Sequence, residues 1–173
     1  MTRGPRQPMM PSTPFSGRRH VASGSAHPPR PGPPQDLLTH LDQGRLWSAP
    51  PSADPAFDLP TAYARALAVR ALRQARGEVP RGYKVGFTNR TIWPRYNVFE
   101  PIWGTVYSST LAFCEGEGTV SLAATCQPRL EPEIVFGLRA TPVPAATLAQ
   151  LFDAIAWVAP GFEIVQSHLP DWK

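Results

Sequence analysis

Two glutamates, Glu131 and Glu133, lie one residue apart at the start of an apolar, β-prone segment that runs to Gly137. Side chains of a β-strand alternate between its faces, so both carboxylates share one face while Ile134 and Phe136 occupy the other. If this pair is buried, repulsion and lost hydration require that one carboxylate protonates or that a cation lies between them. Oxygen ligands favour magnesium, manganese or calcium over zinc. The alternative is a solvated pair without a function, and the spacing leaves both interpretations open.

A third carboxylate, Glu163, lies in a short apolar segment over 161–165 that predicts another strand. A single acid in such a strand would be buried without a visible partner, which is costly. If Glu163 bound the same ion as Glu131 and Glu133, that cost would be removed. His168 follows five residues later and could be a ligand, a base or a surface residue; we expect a surface residue. The histidines form no cluster, so zinc is not indicated.

One lysine, Lys84, lies in the predicted strand over 82–88. Alternation places it on a small, polar face with Gly86 and Thr88, opposite the aromatic face. A lysine among small residues can reach into a cavity, where its ammonium group meets an anionic substrate or exchanges a proton. A lysine on the solvent side of an edge strand would do neither, and the strand pattern alone favours that second interpretation.

The remaining patterns predict the elements that position these strands. They are a short helix over 36–44, a longer helix capped by Asp58 that ends before Gly77, a loop over 89–101, strands over 102–107, 111–113 and 119–122, and a helix that Pro144 opens. The last helix presents Leu148, Leu151, Phe152 and Ile155 as a stripe that we expect in the core, and Pro160 with Gly161 should end it. The spacing of the short strands indicates a β-rich body that follows helices at the N-terminal end.

The first 35 residues differ from the rest of the chain. They contain five arginines and no acidic residue, so 12 of the 17 Lys and Arg remain to balance 13 Asp and Glu. Many of the 22 prolines also lie here. This composition predicts a disordered tail over 1–35 and one domain over 36–173, although translation from a start codon placed too far upstream would give the same pattern. A nucleic-acid-binding module driven by this tail remains a third hypothesis, and it predicts steep salt dependence of binding.

The chain has no run of about 18 apolar residues that could span a membrane, and its first residues lack the apolar region of a secretory signal. We therefore predict a cytoplasmic location in which Cys114 and Cys126 stay reduced. Neither cysteine has a metal-binding or redox spacing, so neither is a candidate nucleophile. We expect no nucleic-acid partner for the domain, because its charge is close to balanced.

Five segments, GYKVGFT (82–88), NRTIWPRY (89–96), QPRLEPEIVF (127–136), GFEIV (161–165) and SHLPDW (167–172), together resemble the 2-keto-4-pentenoate hydratase and 4-oxalocrotonate decarboxylase branch of the fumarylacetoacetate hydrolase superfamily. The resemblance covers the chain from about residue 36 to its end. It implies a mixed α+β fold with a curled β-sandwich roll. It also implies a Mg²⁺ or Mn²⁺ ion held by Glu131, Glu133 and Glu163, and a catalytic Lys84 beside a short 2-oxo acid.

The same resemblance implies a lyase of aromatic-compound catabolism. The first expectation is a hydratase that adds water to 2-hydroxypenta-2,4-dienoate-type acids, and the alternative is a 4-oxalocrotonate decarboxylase. In both reactions the ion would act as Lewis acid and template at the 2-oxo group. Lys84 would supply charge to the substrate carboxylate or shuttle the proton.

Proteins of this branch continue for about half a domain beyond the segment that resembles 167–172. We therefore expect the roll to be incomplete at its C-terminal end, with open strand edges and exposed apolar faces. A second hypothesis follows, namely a non-catalytic fragment or one piece that needs a partner chain. With the full-length domain present, the resemblance implies a homo-oligomer.

Overall fold

The structure is a computed structural model that describes residues 32–47 and 49–172. Most of the predicted disordered tail lies outside these residues, so the tail and the domain boundary stay predictions. The described chain contains four α-helices, α1 (Pro34–Gln43), α2 (Leu59–Ala75), α3 (Trp93–Tyr96) and α4 (Leu148–Asp153), and four strands, β1 (Pro80–Gly86), β2 (Ile102–Tyr107), β3 (Arg129–Leu138) and β4 (Ile155–Val165). Short 3₁₀ turns lie at Pro51–Ala53, Arg90–Ile92 and Pro170–Trp172. The predicted α+β class is confirmed at this coarse level.

The two N-terminal helices form where the sequence predicts them. Helix α1 ends at Gly44, whose φ of 58° is a left-handed conformation that glycine adopts at little cost. Helix α2 is capped by Asp58, whose carboxylate accepts a hydrogen bond from the backbone N–H of Thr61 at 2.9 Å. A cap of this kind satisfies one of the free N–H groups of the first turn, which fixes the start of the helix.

Helix α2 is attached to the first pair of strands through aromatic side chains. The ring of Tyr63 stacks on Trp103 with 4.9 Å between centroids, and its hydroxyl accepts a hydrogen bond from the Trp103 backbone N–H at 3.2 Å. Near the other end of the helix, the guanidinium of Arg73 lies 3.9 Å from the centroid of Tyr107. These contacts hold β2 against the helix and thereby fix the position of β1, its partner strand.

Strands β1 and β2 form an antiparallel pair in which Lys84 lies opposite Gly104. The predicted strand over 82–88 ends at Gly86, because Phe87 adopts a φ of 60° and leaves the extended conformation. The predicted loop over 89–101 is also partly wrong. Asn89 accepts a hydrogen bond from Thr91 and begins the short helical turns that end at Tyr96.

Strands β3 and β4 form a second antiparallel pair in which Glu131 lies opposite Glu163. Further along the pair Gly137 lies opposite Trp157. A Cβ atom at position 137 would overlap the Trp157 indole, so a larger residue there would displace the ring. The glycine leaves space for the indole beside β3.

Three predicted elements are wrong. Residues 111–113 and 119–122 form no strands, because within the described chain no extended segment lies beside them to complete a sheet. The predicted helix begins at a capping box of Thr147 and Gln150 rather than at Pro144, and Ile155 already belongs to β4. Pro160 does not end an element but lies inside β4, because each strand of a two-stranded sheet has a free edge where a missing N–H is tolerated.

The expected core stripe of α4 is exposed. Leu148 and Phe152 leave 75% and 70% of their surface accessible. On the face of β3 and β4 opposite the glutamates, Leu130, Ile134, Phe136 and Phe162 are likewise exposed. Burial of apolar residues among the described residues is confined to a few positions, Leu38, Ala49, Tyr107, Cys126 and Ala154. No helix in this part of the chain is long and apolar enough to cross a membrane.

Candidate functional site

The register of β3 and β4 brings the three predicted glutamates together. Glu163 lies directly across from Glu131, and Glu133 follows two residues later on the same face of β3. One carboxylate oxygen from each lies within 4.8 Å of the others. Glu131 and Glu133 are exposed, and Glu163 is half-buried. The cluster is therefore open to solvent on one side, where an ion or a small ligand can enter.

Lys84 reaches this cluster from the other pair of strands. Its Nζ donates a hydrogen bond to Oε2 of Glu163 at 2.5 Å, which forms an ion pair between the two sheets. Its side chain lies in van der Waals contact with the position that a Cβ atom would take at Gly104. The small face predicted around Lys84 thus leaves room for the lysine stem. The sequence shows no partner for Glu163, and the structure supplies one from β1, 79 residues away.

The charges of this cluster do not balance. Three carboxylates and one ammonium group leave a formal charge of −2 when all are ionised. Like charges within a few ångströms repel each other strongly, and one ammonium group cannot compensate all three. A divalent cation would restore neutrality, and carboxylate oxygens are the ligands that hard divalent cations prefer. The donor set and its spacing therefore fit Mg²⁺ or a similar ion.

The face that carries the glutamates has different chemistry at its two ends. Toward the start of β3 lies Arg129, whose guanidinium is 4.1 Å from the centroid of the Trp172 ring. Toward the other end lie small residues of β4, then Trp157, which packs edge-on against Phe113. A shallow groove of about 410 Å³ borders Glu133 and is lined by Val85, Thr88, Pro132, Glu133 and Ile134. Of the three glutamates, this groove touches Glu133 alone.

His168 is not the surface residue that the sequence predicts. Its ring stacks on Trp47 at 5.7 Å between centroids, its Nδ1 donates to the carbonyl of Arg45 at 2.7 Å, and its Nε2 is buried. It joins the N-terminal segment to the segment after β4, and it is not part of the carboxylate cluster. Cys114 is exposed and Cys126 is buried; both are free thiols and neither belongs to the cluster.

Sequence reasoning missed the pairing of Arg129 with Trp172. A signal was available, because Arg129 precedes Glu131 by two residues and must share its face. The position of Trp172 was not predictable, since it depends on the turn after β4.

The fold and the site define a mixed α+β protein with a carboxylate cluster on an antiparallel strand pair. No family model matches the chain. It is 36% identical over 141 residues to 2-hydroxyhexa-2,4-dienoate hydratase of Comamonas testosteroni, and the alignment covers 80% of this chain and 53% of the relative. It is 35% identical over 103 residues to 4-oxalocrotonate decarboxylase of a Pseudomonas species, and this alignment covers 60% of this chain and 40% of the relative.

Among solved structures, the chain is similar to 4-oxalocrotonate decarboxylase from Pseudomonas putida G7 in complex with magnesium and adipate. The TM-score is 0.71 at 22% identity, over 84% of this chain and 57% of that one. This similarity shows a shared fold. The predicted resemblance to the 2-keto-4-pentenoate hydratases and 4-oxalocrotonate decarboxylases is confirmed by these matches. The chain spans about half the length of the curated relatives it matches.

Proposed function

We propose that this chain carries the metal-binding part of a lyase that adds water to 2-hydroxypenta-2,4-dienoate-type acids and forms 4-hydroxy-2-oxo acids. The observation that carries the proposal is the cluster of Glu131, Glu133 and Glu163 with its unbalanced charge. The hydratase name of the Comamonas testosteroni relative supports the choice of reaction. A role in aromatic-compound catabolism, a cytoplasmic location and assembly into a homo-oligomer are parts of the same proposal.

Glu131, Glu133 and Glu163 would hold a divalent cation, and Mg²⁺ or Mn²⁺ suits three carboxylates that leave room for other oxygen ligands. The bound ion would act as a Lewis acid toward a 2-oxo group. The solved decarboxylase of similar fold is complexed with magnesium, which agrees with this choice. We further propose that the two strand pairs are part of a roll like that of the fumarylacetoacetate hydrolase superfamily.

Lys84 would carry the proton transfer. Its ammonium group lies at the edge of the cluster, and its contact with Glu163 holds it there before substrate arrives. A lysine in this position can donate a proton to a substrate carbon or stabilise developing negative charge beside it. Gly104 lies opposite Lys84 and carries no side chain that would crowd the lysine stem.

Decarboxylation of 4-oxalocrotonate is the second candidate function. The Pseudomonas relative of that name and the solved decarboxylase of similar fold favour it. Both reactions need the same ion and the same acid or base, so the residues described above serve either of them. They differ in whether water adds to the substrate or carbon dioxide leaves it.

The experiment is a thermal melt of the full chain with chelator and with Mg²⁺, followed by assays with both substrates. Mg²⁺ at about 100 times its dissociation constant should raise the free energy of unfolding by about 2.7 kcal/mol. Glu163→Gln should abolish that increase, whereas Glu117→Gln, a surface carboxylate outside the cluster, should preserve it.

The substrate assays separate the candidate reactions. A hydratase removes the absorbance of 2-hydroxypenta-2,4-dienoate, whereas a decarboxylase generates dienoate absorbance from 4-oxalocrotonate. Stabilisation by Mg²⁺ without turnover of either substrate would favour the non-catalytic hypothesis. No stabilisation by Mg²⁺ or Mn²⁺ in a folded sample would refute the proposed ion site.

A further inference from the structure

The ion pair of Lys84 and Glu163 joins the two pairs of strands. Nζ of Lys84, in β1, donates to Oε2 of Glu163, in β4, at 2.5 Å. Among the hydrogen bonds and ion pairs of the described residues, it is the only one that connects β1 or β2 with β3 or β4. The ammonium group therefore reaches the carboxylate cluster from outside the sheet that carries the glutamates.

The three glutamates are brought together by their own sheet. The register sets Glu163 across from Glu131, and alternation along β3 puts Glu133 on the same face. This pairing extends to both sides of the glutamates, over 129–138 of β3. The strand pairing, and not the contact with Lys84, thus places the three carboxylates on one face.

Glu163 takes part in two arrangements that compete with each other. It pairs with Lys84, and it also offers one of the three carboxylate oxygens that lie within 4.8 Å of one another. A divalent cation held by these oxygens is a near neighbour of any ammonium group still bound to Glu163, and like charges repel strongly at short separation. The divalent cation gains from three carboxylates, whereas the ammonium group pairs with one.

The surroundings of Lys84 make it inexpensive for the ammonium group to leave Glu163. The side chains of Lys84 and Glu163 are 39% and 28% exposed, so water can hydrate a released ammonium group. Ion pairs with this much exposure contribute little to stability. Gly86 and Gly104 flank the lysine stem, and neither carries a side chain that packs against it.

We propose that Lys84 is the counter-cation of the glutamate cluster until a divalent ion binds, and that its ammonium group then leaves Glu163. This inference rests on the ion site of the proposed function. It couples ion binding to the release of the ammonium group to which that function assigns proton transfer. The contrasting role is a lysine that stays on Glu163 and orients it for the ion, and this role predicts the opposite effect on ion affinity when the lysine is removed.

Calorimetry of Mg²⁺ binding to the full chain separates the two roles. Lys84→Met removes the competing charge and should tighten Mg²⁺ binding about 10-fold, the scale of a partly exposed hydrogen bond between charged groups. Lys84→Arg keeps the charge and should bind Mg²⁺ about as tightly as the unmodified protein. Unchanged or weaker binding by Lys84→Met would overturn the proposal, and a loss of about 10- to 100-fold is the effect expected for an orienting partner.

Arg81→Met is the matched control for the loss of a positive charge. Arg81 lies in the same strand as Lys84 and takes part in none of the ion pairs of the described residues. Its removal should change Mg²⁺ affinity much less than the removal of Lys84, because exposed charges that are not in contact are screened by salt. An equal gain in both variants would show a general charge effect and would overturn the proposal.

A second measurement follows the ammonium group itself. The chain contains two lysines, Lys84 and Lys173, so Lys173→Arg leaves Lys84 as the single lysine of the chain. With isotope-labelled lysine, NMR reports how fast the ammonium protons of Lys84 exchange with water. Pairing with a carboxylate shields these protons, so their exchange should become several-fold faster at saturating Mg²⁺. A rate that does not rise while Mg²⁺ binds would overturn the proposal, even if Lys84→Met fails to fold.

Failure of this inference is distinguishable from failure of the proposed function. Thermal melts with chelator report whether each variant folds. If the folded, unmodified protein binds Mg²⁺ and Lys84→Met binds it no more tightly, only the displacement of Lys84 is refuted. A folded, unmodified protein that takes up neither Mg²⁺ nor Mn²⁺ would refute the ion site itself.

Discussion

Two clusters of charged side chains in this molecule have opposite balances. In one, Glu78 accepts hydrogen bonds from Arg73 and Arg76 at 2.6 and 2.5 Å, and Arg76 also contacts Asp42 at 2.5 Å. Two guanidinium groups therefore meet two carboxylates. In the other cluster, three glutamates share one ammonium group, Lys84. The first cluster is electrically complete within the chain, and the second is not.

The locations of the two clusters explain the difference. The balanced cluster joins the ends of α1 and α2 to the start of β1, and both Glu78 and Arg73 are nearly buried, with 11% and 12% of their side chains exposed. Buried charges must be paired, so such a cluster serves the fold. The unbalanced cluster is open to solvent, where repulsion between carboxylates is tolerated until a cation binds. An uncompensated charge at an accessible position is thus the better indicator of a ligand site.

The largest expected effect comes from the cation of the unbalanced cluster. Lys84→Met should lower the turnover of the proposed lyase about 10²- to 10⁴-fold, the usual contribution of a general acid or base. Binding of Mg²⁺ should persist or become tighter, because the ammonium group no longer competes for Glu163. Turnover is measured by dienoate absorbance and binding by calorimetry. Lys84→Arg serves as the control, because arginine keeps the positive charge but does not readily give up a proton. Full turnover in Lys84→Met would exclude the role assigned to Lys84.

Breaking the balanced cluster should affect stability instead of ion binding. Glu78→Gln leaves the nearly buried Arg73 without its counter-charge and should lower the free energy of unfolding by about 2–4 kcal/mol. Asp42→Asn is the matched control, since the Arg76–Asp42 pair is about two-fifths exposed and should contribute at most about 1 kcal/mol. Urea unfolding measures both values. A similar loss in both variants, or a weakened response of Glu78→Gln to Mg²⁺, would contradict the contrast between the clusters.

The last prediction is that the stability contributed by Glu78 depends on pH. Burial acts to raise the pKa of Glu78, but hydrogen bonds from Arg73, Ser109 and Arg76 outweigh burial and lower that pKa from 4.5 to about 2. Because the folded pKa is depressed, the stabilisation is complete above the unfolded value near 4.5 and is lost as pH falls toward 2. Melts of the unmodified protein and Glu78→Gln should therefore converge across this range. If the difference in stability between the two proteins stayed constant down to pH 2, Glu78 would not be the group that causes the pH dependence.

Much of the local structure was predictable from short-range patterns. Asp58 and Gly44 mark their helix ends through capping chemistry that involves only neighbouring residues. Strand β2 matches its predicted range because its pattern is flanked by turn residues. The wrong predictions concern features that depend on contacts between residues far apart in the chain. Pro160 is accepted inside β4 because that strand has a free edge, and the apolar stripe of α4 stays exposed because the described chain places no partner over it.

The sequence by itself determined which glutamates could share a face, because alternation along a strand is a local property of the backbone. It therefore placed Glu131 beside Glu133 and left Glu163 as an unpaired acid in a separate strand. Only the tertiary structure decided the register that sets Glu163 across from Glu131, and only the packing of two strand pairs brings Lys84 to Glu163. Register and packing depend on contacts between residues far apart in the chain, which local patterns do not encode.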